Sequence, residues 1–192
     1  MKPRPGREDE WVKRWTRGLG SSRLPGLRHG LGHDCAVLAS PDRRLDLVLK
    51  TDAVVEGVHF LRSTPAPQVG RKALARALSD LAAAGATPRA ALVTAGCPDQ
   101  KSALRLQAVY RGLAGAARRW GVAIVGGETV RTRQLLLSVC LLGTVPRGQS
   151  PHRGGARPGH RLFVTGSLGG SWPRRHLTFT PRLHEGSWLA RQ

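Results

Sequence analysis

The sequence predicts an α/β fold in which one mixed β-sheet carries helices on one of its faces. Two long segments, 67–86 and 101–120, have the spacing of amphipathic helices, since apolar residues recur at i, i+3, i+4 and i+7. Short apolar runs bounded by turn residues predict strands before, between and after these helices. The resulting order β-β-β-α-β-α-β-β is not the regular strand–helix alternation of a Rossmann fold, so we expect a mixed sheet.

The elements are predicted in the following order: a helix at 9–19, strands at 35–39, 45–50 and 54–60, a helix at 67–86, a strand at 90–95, a helix at 101–120, and strands at 122–125 and 135–145. The first helix places Trp11 and Trp15 on one face. The second ends near Gly85, and the third turns Leu106 and Val109 inward. A loop rich in Gly, Ser, Arg and His separates the first helix from the strands.

We divide the chain into three regions: an N-terminal helix and leader at 1–24, a central domain at 25–146 and a C-terminal region at 147–192. Pro146 ends the last strand of the central domain, because proline cannot donate to a strand ladder. The Gly-, Arg- and Pro-rich stretch that follows predicts a linker. A strand is expected to begin at 161–165, as the start of a second domain.

Composition indicates a folded protein with an unusual charge. Of the 192 residues 40% are hydrophobic, and 31 Lys and Arg outweigh 12 Asp and Glu to give a net charge of +19. Such an excess suits a nucleic-acid surface, but it also arises from a coding bias toward arginine. The cations are spread along the chain without a basic block or interleaved aromatics. We therefore interpret the charge as background and expect no nucleic-acid partner.

The cysteines and the apolar runs indicate a cytoplasmic protein. Cys35, Cys97 and Cys140 stand singly, which is typical of a reducing compartment. The longest apolar runs fall short of the roughly 18 to 20 residues that a membrane-spanning helix needs. The basic N-terminus has no apolar segment behind it, so we expect no secretory signal.

Four carboxylates lie at the ends of apolar elements or among small residues: Asp34, Asp52, Asp80 and Glu128. If they converge, a divalent cation must lie between them, and Mg²⁺ prefers carboxylate and phosphate oxygens. The alternative is that each acid is a helix cap or part of a surface ion pair. Glycines before Glu128 would allow a ligand to approach the backbone closely.

Other catalytic motifs are missing from the sequence. It contains no P-loop, no complete dinucleotide fingerprint and no G-x-S-x-G nucleophile. His29 and His33 are four residues apart in a glycine-rich loop, without a Cys or Glu partner at zinc spacing. We interpret them as a pair of solvated histidines.

Several segments, taken in order, resemble the motifs of one known family. Gly32-His-Asp-Cys-Ala-Val-Leu and Lys50-Thr-Asp-Ala-Val-Val-Glu-Gly-Val-His-Phe resemble the Gly-Asp-Asp loop and the Thr-Asp and Glu-Gly-x-His-Phe strand of the thiamine-monophosphate kinases. Arg71-Lys-Ala-Leu-Ala-Arg-Ala-Leu-Ser-Asp resembles their Leu-Ser-Asp helix. Further similar segments are Val125-Gly-Gly-Glu-Thr-Val-Arg, Arg153-Gly-Gly-Ala-Arg-Pro-Gly-His, Phe163-Val-Thr-Gly-Ser-Leu-Gly and His176-Leu-Thr-Phe-Thr-Pro-Arg-Leu. The wider superfamily is that of aminoimidazole ribonucleotide synthetase.

The resemblance implies ATP-dependent phosphorylation of thiamine monophosphate to thiamine diphosphate with Mg²⁺. It assigns 25–146 to an ATP- and metal-binding domain of the aminoimidazole ribonucleotide synthetase type, which also joins its sheet to that of a second copy in a homodimer. Carried over by position, the metal ligands are Asp34, Thr51, Asp52 and Asp80. Gly127, Glu128 and Arg153 would lie around the ATP phosphates, and His59 would face the thiamine phosphate. No covalent nucleophile is implied.

The chain departs from the family pattern at His33, Glu128 and His160, each of which stands where the family has an aspartate. It also ends where the family's second domain begins, so we expect a truncated member. Such a chain should bind Mg²⁺-nucleotide weakly and turn over little substrate by itself. The alternatives are an inactive nucleotide-binding and dimerisation fragment and a basic nucleic-acid-binding protein.

Overall fold

The computed structural model describes residues 7–19 and 24–192. The six strands are β1 (Leu27–His29), β2 (Ala36–Ala39), β3 (Leu45–Val55), β4 (Thr87–Cys97), β5 (Ala123–Arg131) and β6 (Leu136–Pro146). The helices are α1 (Arg7–Trp15), α2 (Ala66–Ala83), α3 (Gln100–Trp120), α4 (His176–Thr178) and α5 (Leu183–Leu189), with a π-helical turn at Ser171–Arg175. The ends of the predicted leader, 1–6 and 20–23, lie outside the described residues.

The strands form one mixed sheet in the order β1-β2-β3-β6-β4-β5. Neighbours are antiparallel except β4 and β5, which are parallel. β4 and β5 are parallel because α3 lies between them in the chain and runs back along the sheet, so that β5 begins at the same end of the sheet as β4. The predicted mixed sheet is therefore confirmed, but β4 and β5 are longer than the strands predicted at 90–95 and 122–125.

The predicted strand 45–50 runs on without a break to Val55 as the single strand β3, which takes in only the first two residues of the strand predicted at 54–60. The remaining residues, 56–60, form a tight loop, so that part of the prediction was wrong. All eleven residues of β3 pair with β6, from Leu45 opposite Pro146 to Val55 opposite Leu136. The polar residues in the middle of β3 break the run of apolar side chains but not the backbone ladder, because any residue with a free N–H can pair there. β1, in turn, lies within the loop predicted at 20–33.

The core lies between one face of the sheet and the helices α2 and α3. Its largest fully buried side chains include Leu74, Leu78, Leu113, Leu137 and Leu141. The two helices touch through glycines: a Cβ on Gly112 would lie 1.9 Å from the Pro67 carbonyl oxygen, and one on Gly70 would lie 2.0 Å from that of Val109. Only glycine permits so close an approach of the two backbones.

The other face of the sheet, here called the open face, is largely uncovered, although Val12 of α1 lines a cavity with Thr51 and Cys140 at one part of it. One row across it joins Thr51, Cys140 and Leu92, which are opposite each other in β3, β6 and β4. All three are exposed, with 49% of Leu92 accessible to solvent. Because strand side chains alternate between faces, these residues point away from α2 and α3. The sheet therefore has one buried face and one largely uncovered, partly apolar face.

The C-terminal region packs against α2 near its end. Arg71 donates hydrogen bonds of 2.9, 2.9 and 2.7 Å to the carbonyls of Leu177, Thr178 and Phe179. The strand expected at 161–165 is not formed: this segment has no strand neighbour within 24–192, and Leu162 is 99% exposed. That expectation was wrong, since an apolar run becomes a strand only where a second strand can pair with it. Among the described residues, no helix is both long and apolar enough to cross a bilayer.

Candidate active site

Two ion pairs join α2 to the middle of β3. Arg76 Nε lies 2.8 Å from Asp52 Oδ2, and Lys50 Nζ pairs with the carboxylate of Asp80. The pairs lie side by side because two residues along a strand advance about 7 Å and four residues along a helix about 6 Å. Lys50 and Asp52 share one face of β3, and Arg76 and Asp80 share one face of α2. Opposite charges therefore meet at both positions of this contact.

Asp34 joins this group from the turn before β2. Arg153 Nη1 approaches Asp34 Oδ1 at 3.8 Å. The next residue, Cys35, is buried and its thiol donates to the Asp80 carbonyl oxygen at 3.4 Å. Burial, with the charge of Asp80 acting in the same direction, raises the pKa of Cys35 to about 12. Asp80 thus lies near both Cys35 and Lys50, with Asp34 near the thiol and Asp52 near the ammonium, and the thiol is not a nucleophile.

Lys50 is the cation at the centre of this group. Burial by itself would lower the pKa of Lys50, but the hydrogen bond to Asp80 and the charges of Asp80 and Asp52 together raise it. The ammonium group is therefore held in its charged form and neutralises the carboxylates beside it. Sequence reasoning missed Lys50 and Arg76, although their spacing from Asp52 and Asp80 was visible.

Thr51 and Glu128 do not join the aspartates. The Thr51 side chain lies on the open face, where its hydroxyl is 3.4 Å from that of Ser138. Glu128 is exposed on the edge strand β5. Asp52 and Gly127 occupy the two ends of one row across β3, β6, β4 and β5, which corresponds to about 14 Å at three strand spacings. The four predicted carboxylates therefore do not converge.

His59 lies in the tight loop after β3, beside α2. Its Nδ1 accepts a hydrogen bond from the Val55 N–H at 3.1 Å, so in the neutral ring the proton is on Nε2. Lys72 donates to the His59 carbonyl oxygen and its Nζ is 2.6 Å from His176 Nδ1. Burial, with the charges of Arg76 and Lys72, lowers the pKa of His59.

A basic pocket of about 350 Å³ opens between α2 and the C-terminal region. Four of its lining side chains are cations or imidazoles: Lys72, Arg76, Arg175 and His176. Burial, followed by the charge of Arg76, lowers the pKa of Lys72. A cavity with this lining suits an anion the size of a phosphate ester. The pocket adjoins the ion pairs through Arg76, which belongs to both.

His29 and His33 are not simply solvated, contrary to the sequence-based interpretation. Their rings stack at 4.5 Å between centroids, and His152 joins them at 5.2 and 5.3 Å. Burial, followed by the charges of His29 and His152, lowers the pKa of His33. His152 is 119 residues from His33 in the chain. No local pattern could have brought it to this position.

The family of AIR synthase related proteins matches this chain through its N-terminal domain, over residues 32–145. The matched range holds both long helices, most of the sheet and the three aspartates around Lys50. The chain therefore belongs to the AIR synthase related family, as an N-terminal domain. This agrees with the fold class that the sequence predicts.

Within the family, the chain is similar to thiamine-monophosphate kinases. That of Rhodopirellula baltica is 39% identical over 169 residues, which cover 84% of this chain and 53% of that protein. That of Escherichia coli K12 is 36% identical over 199 residues, covering 93% of this chain and 60% of that protein. The chain spans about half the length of the curated relatives it matches.

Solved structures of the same enzymes share the fold. AaThiL complexed with AMPPCP and TMP superposes with a TM-score of 0.82 at 26% identity, over 100% of this chain and 65% of that chain. Thiamine-monophosphate kinase from Stenotrophomonas maltophilia K279a superposes with a TM-score of 0.65 at 28% identity, over 95% of this chain and 63% of that chain.

The aspartates fit Mg²⁺ by chemistry, since carboxylate oxygens are the ligands it prefers. Their placement leaves each carboxylate in contact with a cation of the chain. In 24–192, they do not form a group whose ligand atoms all lie within 4.8 Å of one another. Mg²⁺ would therefore have to take the place of a side-chain cation at this site.

Proposed function

We propose that this chain forms the nucleotide- and metal-binding part of a thiamine-monophosphate kinase, which phosphorylates thiamine monophosphate to thiamine diphosphate with ATP. The observation that carries the proposal is the grouping of Asp34, Asp52 and Asp80 around Cys35 and Lys50. Phosphoryl transfer depends mainly on positioning and on charge neutralisation, which such a group supports. The thiamine-monophosphate kinases among the relatives are consistent with this function.

Mg²⁺ would be held by Asp34, Asp52 and Asp80, and it would neutralise charge on the transferring phosphate. Lys50 and Arg76 hold the two carboxylates of the α2–β3 contact in place before the ion arrives. Mg²⁺ usually needs only one or two carboxylates besides phosphate oxygens and water. We leave the Thr51 hydroxyl out of this set, because it lies on the opposite face of the sheet.

The thiamine phosphate would bind in the basic pocket beside His59. Lys72, Arg76 and Arg175 supply charge-assisted donors for a phosphate ester there. His59 Nε2–H adds a neutral donor at the edge of this region. The pocket adjoins Asp52 through Arg76, so the acceptor phosphate and the metal would be neighbours, as transfer between them requires.

The resemblance assigns Arg153, Gly127 and Glu128 to the ATP phosphates, and since Gly127 is three strands from Asp52, one nucleotide would have to extend across the sheet to reach all three. Arg153 already lies beside Asp34 at the proposed metal site. Gly127 and Glu128 are exposed on β5, where a ligand can approach the backbone. Glu128 keeps the negative charge that the family's aspartate has at this position, on a side chain longer by one methylene.

We also propose that the enzyme is a homodimer that covers the open face of the sheet. Leu49, Leu92 and Val125 are 39%, 49% and 64% exposed there or on the adjoining edge. Apolar side chains on an uncovered sheet favour association with a second sheet. Three free thiols, including the exposed Cys140, agree with the cytoplasm as the compartment.

The proposal is tested by calorimetric titration of the purified chain with thiamine monophosphate and with Mg²⁺-AMPPCP. We expect Mg²⁺-dependent nucleotide binding that Asp52→Asn abolishes, since the amide keeps the shape and removes the charge. Asp42→Asn, at an exposed turn, is the matched control and should bind as the parent does. Nucleotide binding that is independent of Mg²⁺ and unchanged in Asp52→Asn would contradict the proposal.

A second candidate is an inactive module of the same family that binds nucleotide or a partner without turnover. The specific observation in its favour is that Lys50 and Arg76 already neutralise Asp80 and Asp52. A radiometric assay for thiamine diphosphate separates the two. Turnover at an ordinary enzymatic rate of about 1 per second or more would exclude the inactive module.

A further inference from the structure

We propose that His29, His33 and His152 form a binding site for a divalent transition metal ion, with Zn²⁺ as the ligand that best suits three imidazoles. Each residue offers one nitrogen, and these three nitrogens all lie within 4.8 Å of one another. Imidazole is a ligand for Zn²⁺, Ni²⁺ and Cu²⁺ but not a preferred ligand for Mg²⁺. The site is therefore chemically distinct from the aspartates around Lys50.

Only small shifts separate this cluster from a coordination site. Nitrogens 4.8 Å apart lie about 2.8 Å from a common centre, whereas a Zn–N bond is about 2.0–2.1 Å. Each ring then has to move by about 0.7 Å or less. The stacked rings of His29 and His33 are within 9° of parallel. Since a metal lies in the plane of each ring that binds it, one of the two rings must also tilt.

Two hydrogen bonds to the histidine rings show which backbone groups would have to move for a metal ion to bind. His33 Nε2 accepts from the Arg153 N–H at 3.1 Å, and His152 Nδ1 accepts from the Gly154 N–H at 3.0 Å. Both donors belong to one exposed loop. His33 Nδ1 is buried and has no hydrogen-bond partner within the described residues. Because Nε2 accepts from Arg153, Nδ1 carries the proton in the neutral ring, and a buried N–H without a partner is costly. A metal ion could relieve this cost by binding Nδ1 once the proton moves to Nε2 and the Arg153 contact is released, or by binding Nε2 in place of that contact.

Charge at the site does not exclude a cation. Arg28 and Arg153 both line the cavity, of about 470 Å³, that contains the three rings. Arg28, however, is paired with the buried carboxylate of Asp46 at 2.7 Å, and Arg153 with Asp34. Three protein ligands would leave a fourth position to water, as in open zinc sites.

The test is titration of the chelator-treated chain with Zn²⁺, and with Co²⁺ as a spectroscopic probe, in excess Mg²⁺. We expect one Zn²⁺ per chain, a Co²⁺ absorption spectrum of nitrogen-ligated type, and shifted amide resonances of Arg153 and Gly154. His152→Gln and His29→Gln should each weaken Zn²⁺ binding about tenfold or more, because even the loss of a residue that only supports a metal ligand weakens metal binding by about 10- to 100-fold. His160→Gln and His184→Gln, at exposed sites outside the cluster, are the controls and should bind as the parent does.

Equal Zn²⁺ affinity in His152→Gln and the parent would overturn the proposal, as would competition by Mg²⁺. His152 is exposed, so its substitution should leave the fold intact, and an unchanged melting temperature of the chelated variant checks this. Failure of this test is independent of the kinase proposal, because Asp52→Asn is expected to leave Zn²⁺ binding unchanged.

Discussion

Lys50 and Arg76 determine how the carboxylates between α2 and β3 can respond to a divalent cation. Each of these two cations is paired with one aspartate, and the Lys50 ammonium also lies near Asp52. A metal ion that enters this contact meets both the carboxylate oxygens that attract it and the ammonium that repels it. If the proposed Mg²⁺ site exists, its affinity would therefore reflect a competition between Mg²⁺ and the Lys50 amine.

Replacing Lys50 by Met should make Mg²⁺ bind more tightly. The substitution frees the Asp80 carboxylate and removes one positive charge, and charges about 4 Å apart in a partly solvated site interact by about 1–4 kcal/mol. We expect roughly a tenfold gain in Mg²⁺ affinity by calorimetry. Lys101→Met, at an exposed position of α3, is the control. Unchanged or weaker binding in Lys50→Met would show that the ammonium does not compete with the metal.

Among the secondary-structure elements, the contact between α2 and α3 depends on two glycines, although glycine has a low helix propensity. Glycine costs a helix interior about 0.5–1 kcal/mol relative to alanine. Gly70 and Gly112 are kept because the neighbouring helix backbone lies where their Cβ atoms would be. This close packing holds α2, and with it Asp80 and Arg76, against the sheet.

Gly112→Ala should therefore destabilise the fold, whereas Gly115→Ala should not. A Cβ at Gly112 meets the Pro67 carbonyl oxygen at 1.9 Å, while one at Gly115 has its nearest neighbour, the Arg118 side chain, at 4.0 Å. We expect a loss of about 1–3 kcal/mol for Gly112→Ala from overpacking. Gly115→Ala should gain up to about 1 kcal/mol from helix propensity. Urea unfolding measures both, and equal effects would contradict the packing argument.

Arg71 fastens the C-terminal region to α2. Its guanidinium reaches three successive carbonyls and lies 5.3 Å from the centre of the Trp120 ring. A lysine keeps the charge but lacks the planar fork that reaches several acceptors at once. The segment after the π-helical turn, which lines the basic pocket, therefore depends on this one side chain for much of its position.

We expect Arg71→Lys to expose the C-terminal region to protease. Loss of about 1–2 kcal/mol of local stability corresponds to about 5- to 30-fold more opening. Chymotryptic cleavage after Phe179 should accelerate by that factor, as followed by mass spectrometry. Arg111→Lys, exposed on α3, is the control. Identical cleavage rates in the two variants would mean that the region is held by other contacts.

For the molecule as a whole, the main consequence of the fold is that helices cover only one of the two faces of the sheet. α2 and α3 bury one face, whereas the row of Thr51, Cys140 and Leu92 is exposed on the other, where Val12 of α1 lines a cavity with Thr51 and Cys140 but leaves them exposed. A net charge of +19 keeps such a molecule soluble by repulsion, but it opposes association at low ionic strength. Dimer formation should therefore be favoured by salt.

Light scattering at a concentration on the order of tens of micromolar should show a dimer. Leu92→Lys, on the open face, should give a monomer, whereas Leu104→Lys, exposed on α3, should not change assembly.

Alkylation of Cys140 should slow as the protein concentration rises, because a dimer would cover this thiol. Cys35 should stay unreactive, because it is buried and its pKa is raised to about 12. A monomer in which Cys140 reacts equally fast at all concentrations would contradict the proposed dimer.

The class of fold could be predicted from the amino-acid pattern, because α2 and α3 carry strong helical periodicity and the β2 and β6 segments carry apolar runs between turn residues. It also led to Asp34, Asp52 and Asp80, since carboxylates are rare in this chain and lie at motif positions. β3 was predicted as two strands, because hydrophobicity records which side chains are buried and not which backbone groups are paired.

Which charged side chains form ion pairs could be seen only in the folded chain. Lys50 and Arg76 gained their roles when α2 packed on β3, and His152 reached His29 and His33 through a loop that is distant in the chain. Thr51 and Asp52 are consecutive residues of β3, so their side chains lie on opposite faces of the sheet. The sequence did not show that this segment is paired along its whole length. Periodicity is a local property, whereas ion pairs and ligand clusters depend on distances between segments, which the packing of the whole chain sets.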